Sequence, residues 1–143
     1  MTDAEKRKYY MSAEYRDEME NMLVDEFWFM KDDDDGKCFP MEWSNGWLEE
    51  FYELCRQLKT EVSDDFRWTQ LKEKFGTARC YYWGHITPYG QELISDFEDN
   101  ITAHICEICG AEGELRNTGW IVCLCDECMK EIDDRHKEYD KQE

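Results

Sequence analysis

Two short cysteine motifs carry the clearest chemistry in the sequence. Cys106-Glu107-Ile108-Cys109 is followed at once by Gly110, and after 15 intervening residues comes Cys125-Asp126-Glu127-Cys128. A two-residue gap lets both sulfurs of a pair turn toward one point, and two such pairs complete a tetrahedron around Zn²⁺ with bonds of ~2.3 Å. Gly110 relieves the tight turn after the first pair. The spacing is that of a zinc ribbon or treble-clef-like finger, so Cys106, Cys109, Cys125 and Cys128 are the expected ligands of one structural zinc ion. Two neighbours compete for a place: Cys123, two residues before Cys125, and His104, two before Cys106. The CxxC geometry favours Cys125 over Cys123. His104 reads more simply as an exposed or capping residue at a helix end. Four thiolates close the shell and donate too much charge for a bound water to be acidified, so the metal is expected to be structural. The residues around His104 and Cys106 also lack the H-x-E and P-C-x-x-C spacing of zinc deaminases.

Elsewhere the plainer reading is favoured. Asp32–Asp35 puts four carboxylates in a row, but Gly36-Lys37-Cys38 breaks the alternating frame of a calcium loop, leaving a solvated or partner-facing acidic patch. Trp43 and Trp47 flank a helix start, where aromatics serve as core or staple residues more often than as an exposed recognition pair. Lys72, Lys74 and Arg79 form a basic concentration in the middle of the chain. With Glu61, Asp64 and Asp65 just ahead of them, a salt-bridged sheet face is favoured over a phosphate contact. His85 and His136 stand without a nucleophile or acid placed by any motif, and no nucleophile elbow, P-loop, GxGxxG or HExxH occurs. The expected protein is not an enzyme.

The composition limits the rest. The chain has 143 residues, with 35 Asp+Glu against 17 Lys+Arg and a net charge of −18. Hydrophobic residues at 41% and aromatics at 15% are too abundant for a disordered acidic tail, so the chain should fold. No apolar run is long enough to span a membrane, and no apolar run follows the basic residues of the first 15 to make a signal peptide. The charge opposes attachment to an anionic membrane and makes direct nucleic-acid binding an unfavoured role. The expected compartment is the cytoplasm, where eight cysteines point to metal rather than disulfides. The acidity is uneven. Residues 1–36 hold 12 acids and 5 bases, residues 37–84 hold 8 and 7, and residues 85–143 hold 15 and 5. Zinc-bound thiolates deepen the last figure, because four of them on Zn²⁺ carry a net −2.

The elements that must position the cysteines follow from periodicity. Tyr15, Met19, Met22, Leu23, Phe27 and Met30 mark one helix face behind a Ser12 cap, closed by the Asp32–Gly36 turn. Trp47, Phe51, Leu54, Cys55 and Leu58 mark a second helix from Ser44 or Asn45 to about Thr60. Alternation on either side of Phe75-Gly76 predicts an antiparallel hairpin. Pro88 opens a third helix carrying Leu93, Ile94, Phe97 and Ile101, and a charged helix spans roughly Asp126 to Asp140. Between the two cysteine pairs, Leu115 and Gly119-Trp120-Ile121-Val122 suit a short hairpin. The expected class is α+β: helices on a small antiparallel hairpin, with a C-terminal zinc-ribbon or treble-clef-like module. Its parts are an acidic helix and loop over 1–43, a helix-hairpin-helix core over 44–104, and a four-cysteine module with a C-terminal acidic helix over 105–143.

The segment Gln70-Leu71-Lys72-Glu73-Lys74-Phe75-Gly76-Thr77-Ala78-Arg79-Cys80-Tyr81-Tyr82 is followed by Cys106-Glu107-x-Cys109-Gly110 and by Gly119-Trp120, Leu124-Cys125-Asp126 and Cys128. In this order they resemble small uncharacterised proteins of phages and prophages, over roughly residues 45–130. The resemblance implies a hairpin followed by a zinc knuckle pair, and a phage setting, but no activity. It also implies that Cys80 and Cys123 stand where an aromatic and a threonine are usual, as substitutions rather than ligands. The expected role is an acidic zinc-binding interaction protein, in the bacterial host cytoplasm, that inhibits or redirects a host protein with a basic surface. The carboxylates of its acidic ends, especially Asp32–Asp35 and those of residues 126–140, would imitate nucleic-acid phosphate, and Trp43, Trp47 or Trp83 would anchor the contact. One alternative is a zinc-ribbon accessory module of a nucleic-acid-processing or transcription complex, acting through Lys72–Arg79. Another is an immunity or antitoxin-like protein that neutralises a basic toxin.

Overall fold

A reciprocal cap starts the chain's first helix. Thr2 Oγ1 accepts the Glu5 N–H (3.1 Å) while the Glu5 carboxylate accepts the Thr2 N–H (3.3 Å), and α1 (Asp3–Tyr10) follows. The computed structural model describes residues 1–141. Because α1 buries none of its residues, it has no apolar stripe to announce it, and the sequence reading missed it.

Ser12 caps α2 (Ala13–Glu26) by accepting the Tyr15 N–H, as expected. The helix stops earlier than its periodicity suggested. Phe27 leaves the helical region (φ −126°, ψ 117°), which turns Phe27, Phe29 and Met30 into the core through a tight extra turn. Met22 correspondingly lies on the solvent side. Arg16 then holds the following loop, its two terminal nitrogens donating to the Met41 and Trp43 carbonyls at 2.7 Å each.

A single turn at Asn45–Trp47 leads into α3 (Leu48–Leu58), which buries Leu48, Phe51, Leu54, Cys55 and Leu58 at helical spacing. Trp43 and Trp47 are buried too, Trp43 edge-on to Phe51 with ring centres 5.1 Å apart. They are core residues, which removes both from the set of expected partner anchors.

Strands β1 (Arg67–Lys74) and β2 (Thr77–Trp83) pair antiparallel around Phe75-Gly76. Both turn residues have positive φ (54° and 84°), the two-residue geometry whose twist suits a hairpin. Trp68, Leu71, Ala78 and Cys80 cover the core. Helix α4 (Pro88–Asp96) starts on a Thr87 cap and a Pro88 first turn, widens over Phe97–Ile101, and delivers the chain to the first cysteine pair. A second antiparallel hairpin, β3 (Glu114–Asn117) with β4 (Ile121–Leu124), runs directly into α5 (Asp126–Lys141). The fold is therefore α+β, with two small hairpins that do not share a sheet. No helix among the described residues is long and apolar enough to cross a membrane.

Two apolar clusters result. The larger joins α2, α3, β1–β2 and Phe97 and reaches Cys123 of β4, and the smaller gathers Cys106, Cys109, Leu124, Cys125 and Cys128.

Candidate metal centre

The first cysteine pair sits in a turn that its own backbone closes. The Gly110 N–H donates to the Cys106 carbonyl (2.9 Å) and the Cys106 N–H to Ala111 (2.8 Å), with Gly110 at φ +82°. The second pair uses the start of α5. Cys125 precedes the helix, Cys128 lies in its first turn, and the Cys128 N–H points at Cys125 Sγ (3.4 Å). The positive end of the helix thus faces the sulfurs, while burial pushes the Cys128 thiol up.

Sulfurs of Cys106, Cys109, Cys125 and Cys128 all lie within 4.8 Å of one another, and all four residues are buried. Cys109 and Cys125 are 3.6 Å apart, far beyond the ~2.05 Å of a disulfide. A tetrahedron with bonds of ~2.3 Å has edges of ~3.8 Å. The four cysteines are therefore positioned to coordinate one metal ion. Among the described residues they form the one such cluster, and the Asp32–Asp35 run is not another. Asp32 and Asp35 instead accept backbone N–H bonds of their own turn, and Asp33 pairs with Arg67 at 2.6 Å.

Neither competing ligand joins the set. The Cys123 thiol donates to the Ala103 carbonyl (3.3 Å) and packs into the larger core, where burial pushes it up to about 11. Along β4 it alternates with Leu124, and since Leu124 packs in the smaller cluster, Cys123 faces the larger core instead. His104 is exposed. The hydrogen bond from Cys109 holds Cys106 below the usual thiol range, and the same bond pushes Cys109 above it.

Three distant segments brace the centre. The Gly46 N–H donates to the Glu107 carbonyl (2.7 Å), the Ser44 N–H to the Glu107 carboxylate (3.0 Å) and the Trp47 indole N–H to the Ile105 carbonyl (2.8 Å). A side chain on Gly46 would collide with the Cys106 and Glu107 carbonyl oxygens. Burial pushes the Glu107 carboxyl up while the Ser44 N–H pulls it back. From α1, Arg7 donates to Cys128 Sγ (3.0 Å) and to both oxygens of Glu131 (2.9 and 3.0 Å). On the other side Arg116 donates to the Leu124 carbonyl (3.0 Å) and to Asp126 (2.7 Å). Arginines beside a thiolate cluster offset the negative charge that four sulfurs bring to one point, and such outer partners orient the ligands. Sequence reasoning missed Gly46, Arg7 and Arg116 as parts of the site. Only the first had a signal, a lone glycine between two tryptophan-bearing turns.

Comparison with protein-family models, with curated proteins and with solved structures found no match to the chain.

Proposed function

We propose that the chain is a non-enzymatic interaction protein, built around a structural zinc ion, that binds a basic protein partner through an acidic face. The donor set supports zinc: four cysteine sulfurs converge, all buried, with an arginine and backbone N–H groups supplying the positive surroundings that thiolates need. Bound there, zinc would cross-link the two knuckles and do no chemistry, since the shell has no open position.

The observation that carries the binding role is a carboxylate row on α2. Glu14, Asp17, Glu18 and Asp25 recur at helical spacing on the exposed side, around the exposed Met22. Among the described residues, Glu14, Asp17 and Asp25 have no cation at ion-pair distance. Unpaired carboxylates in a row resemble a run of phosphates and steer a cationic surface into contact. The phage resemblance makes that partner a host protein in the bacterial cytoplasm, inhibited or redirected by the contact.

Capture from a bacterial lysate tests this reading. The unaltered protein should retain a basic, nucleic-acid-binding protein at ~50 mM salt and release it at ~500 mM, as screening predicts. Capture that is insensitive to salt, or unchanged when Glu14, Asp17 and Asp25 are replaced by their amides, would refute it. Arg7 gives a separate expectation. Arg7→Gln loses both the charge and the reach to Cys128, so transfer of zinc to a colorimetric chelator should accelerate about tenfold or more. An unchanged transfer rate would show that Arg7 only packs against the site.

A further inference from the structure

The exposed side of the first hairpin is chemically unlike the rest of the chain. Cross-strand pairs Arg67/Trp83, Gln70/Tyr81, Lys72/Arg79 and Lys74/Thr77 share this side, while Trp68/Tyr82 and Leu71/Cys80 take the core side. An irregularity between Trp68 and Gln70 lets Arg67 and Gln70 both face outward. Eight outward positions thus hold four cations, two aromatics and no carboxylate, in a sequence with 35 acids.

The expected salt-bridged sheet face is not what forms. Among the described residues, Lys72, Lys74 and Arg79 have no carboxylate at ion-pair distance, and only Arg67 is paired, to Asp33. Glu42, from the segment beside β1, approaches this side but binds Gln70 (3.4 Å). Acids nearby in sequence are turned elsewhere: Glu73, between the two lysines, pairs with Ala78 on the core side and accepts the Gly76 N–H (2.8 Å), Asp65 faces His85 and Glu61 faces Thr87. The cations lie instead over aromatic rings. Arg67 is 5.6 Å from the Trp83 ring centre, Lys72 5.8 Å from Tyr81, and Lys74 5.6 Å from Phe75 at the tip. Those rings are open to solvent, with Trp83 59%, Tyr81 47% and Phe75 61% exposed.

We propose that this face of β1–β2 binds single-stranded nucleic acid, with bases stacking on Tyr81 and Trp83 and phosphates contacting Lys72, Lys74 and Arg79. Two residues along a strand separate the rings by ~6.7 Å, so neighbouring unstacked bases can each reach one. Interleaved cations meet the phosphates between them, and every base offers a face to a ring whatever its identity. A duplex hides its base faces, and an acidic peptide would use the cations but leave both rings unoccupied. The face shares no residue with the carboxylate row on α2, so the two can be disabled separately.

Fluorescence anisotropy with a labelled twelve-residue oligothymidine at ~50 mM salt tests the assignment. Three phosphate contacts predict a roughly 20-fold loss of affinity between ~50 and ~200 mM salt. The double variant Tyr81→Ala/Trp83→Ala should bind about tenfold or more weakly, and Lys72→Glu/Arg79→Glu likewise, whereas Trp83→Phe, which keeps a ring, should retain most of the affinity. Metal content and thermal midpoint, unchanged in all three because the positions face solvent, exclude misfolding as the cause. The proposal is overturned if the oligonucleotide fails to bind at ~100 µM protein, if the ring-less variant binds as tightly as the unaltered chain, or if duplex DNA or poly-glutamate competes equally well.

Discussion

Cys125→Ser should yield a protein that holds no zinc and melts at least ~15 °C below the unaltered chain. The expectation rests on where the sulfurs sit. All four are buried in the smaller cluster, which otherwise contains only Leu124 and a few half-buried side chains. Without a cation the remaining thiols are crowded together with too little apolar surface to replace the metal's cross-link. Structural zinc contributes about 10–16 kcal/mol to isolated zinc-finger peptides. Even a third of that, ~3–5 kcal/mol, converts to ~15 °C for a chain of this size. The larger core, with Trp43, Trp47, Phe51 and Trp68, does not depend on the metal for its apolar contacts. Loss should therefore begin in residues 105–141, read as early hydrogen exchange at the knuckle amides. Cys123→Ala is the control: it loses one hydrogen bond to Ala103 but should keep one zinc per chain by elemental analysis. A zinc-free Cys123→Ala, or a zinc-loaded Cys125→Ser, would reassign the ligands.

Gly46→Ala should be nearly as damaging although it removes no ligand sulfur. The added carbon would run into the Cys106 and Glu107 carbonyls, which are backbone and cannot rotate away. Relief requires the turn before α3 to separate from the knuckle, which breaks the Gly46–Glu107 and Trp47–Ile105 hydrogen bonds together. Overpacking of this kind costs about 1–3 kcal/mol, and each orphaned buried group adds ~1 kcal/mol or more. We expect ~3 kcal/mol or more in denaturant unfolding, with faster zinc loss. Gly36→Ala provides the contrast, because Gly36 has φ +71° but nothing within 4 Å of an added carbon. It should cost only about 1–2 kcal/mol. Equal effects of the two substitutions would show that the knuckle is not pressed against α3.

Local features were legible in the sequence where one short segment decides them. The CxxC pairs carry their geometry in their spacing, the Ser12 cap and Pro88 mark helix starts, and alternation around Phe75-Gly76 marks the hairpin. Helix α1 was missed because it has no apolar stripe, although Thr2 and Glu5 spell a capping box. What stayed hidden depends on distant neighbours. Nothing near Gly46 in sequence shows that it faces Glu107, and nothing near Arg7 shows that it faces Cys128. Trp43 and Trp47 could be placed as core or as anchors only once Phe51 and Phe97 were seen around them. The hairpin's acids were misassigned for a similar reason: nearness in sequence suggested ion pairs that the folded chain directs to His85 and Thr87.

The reach of Arg7 across 121 positions to Cys128 has a consequence for biosynthesis. A ribosome adds about 5–20 residues per second, so Arg7 leaves it roughly 6–24 s before its partner does. Through that interval the larger aromatic core can assemble, because its residues precede the first knuckle apart from Cys123. Cys125 and Cys128 emerge after that core, so a metal ion taken up by the four cysteines would lock a chain whose aromatic core is already in place.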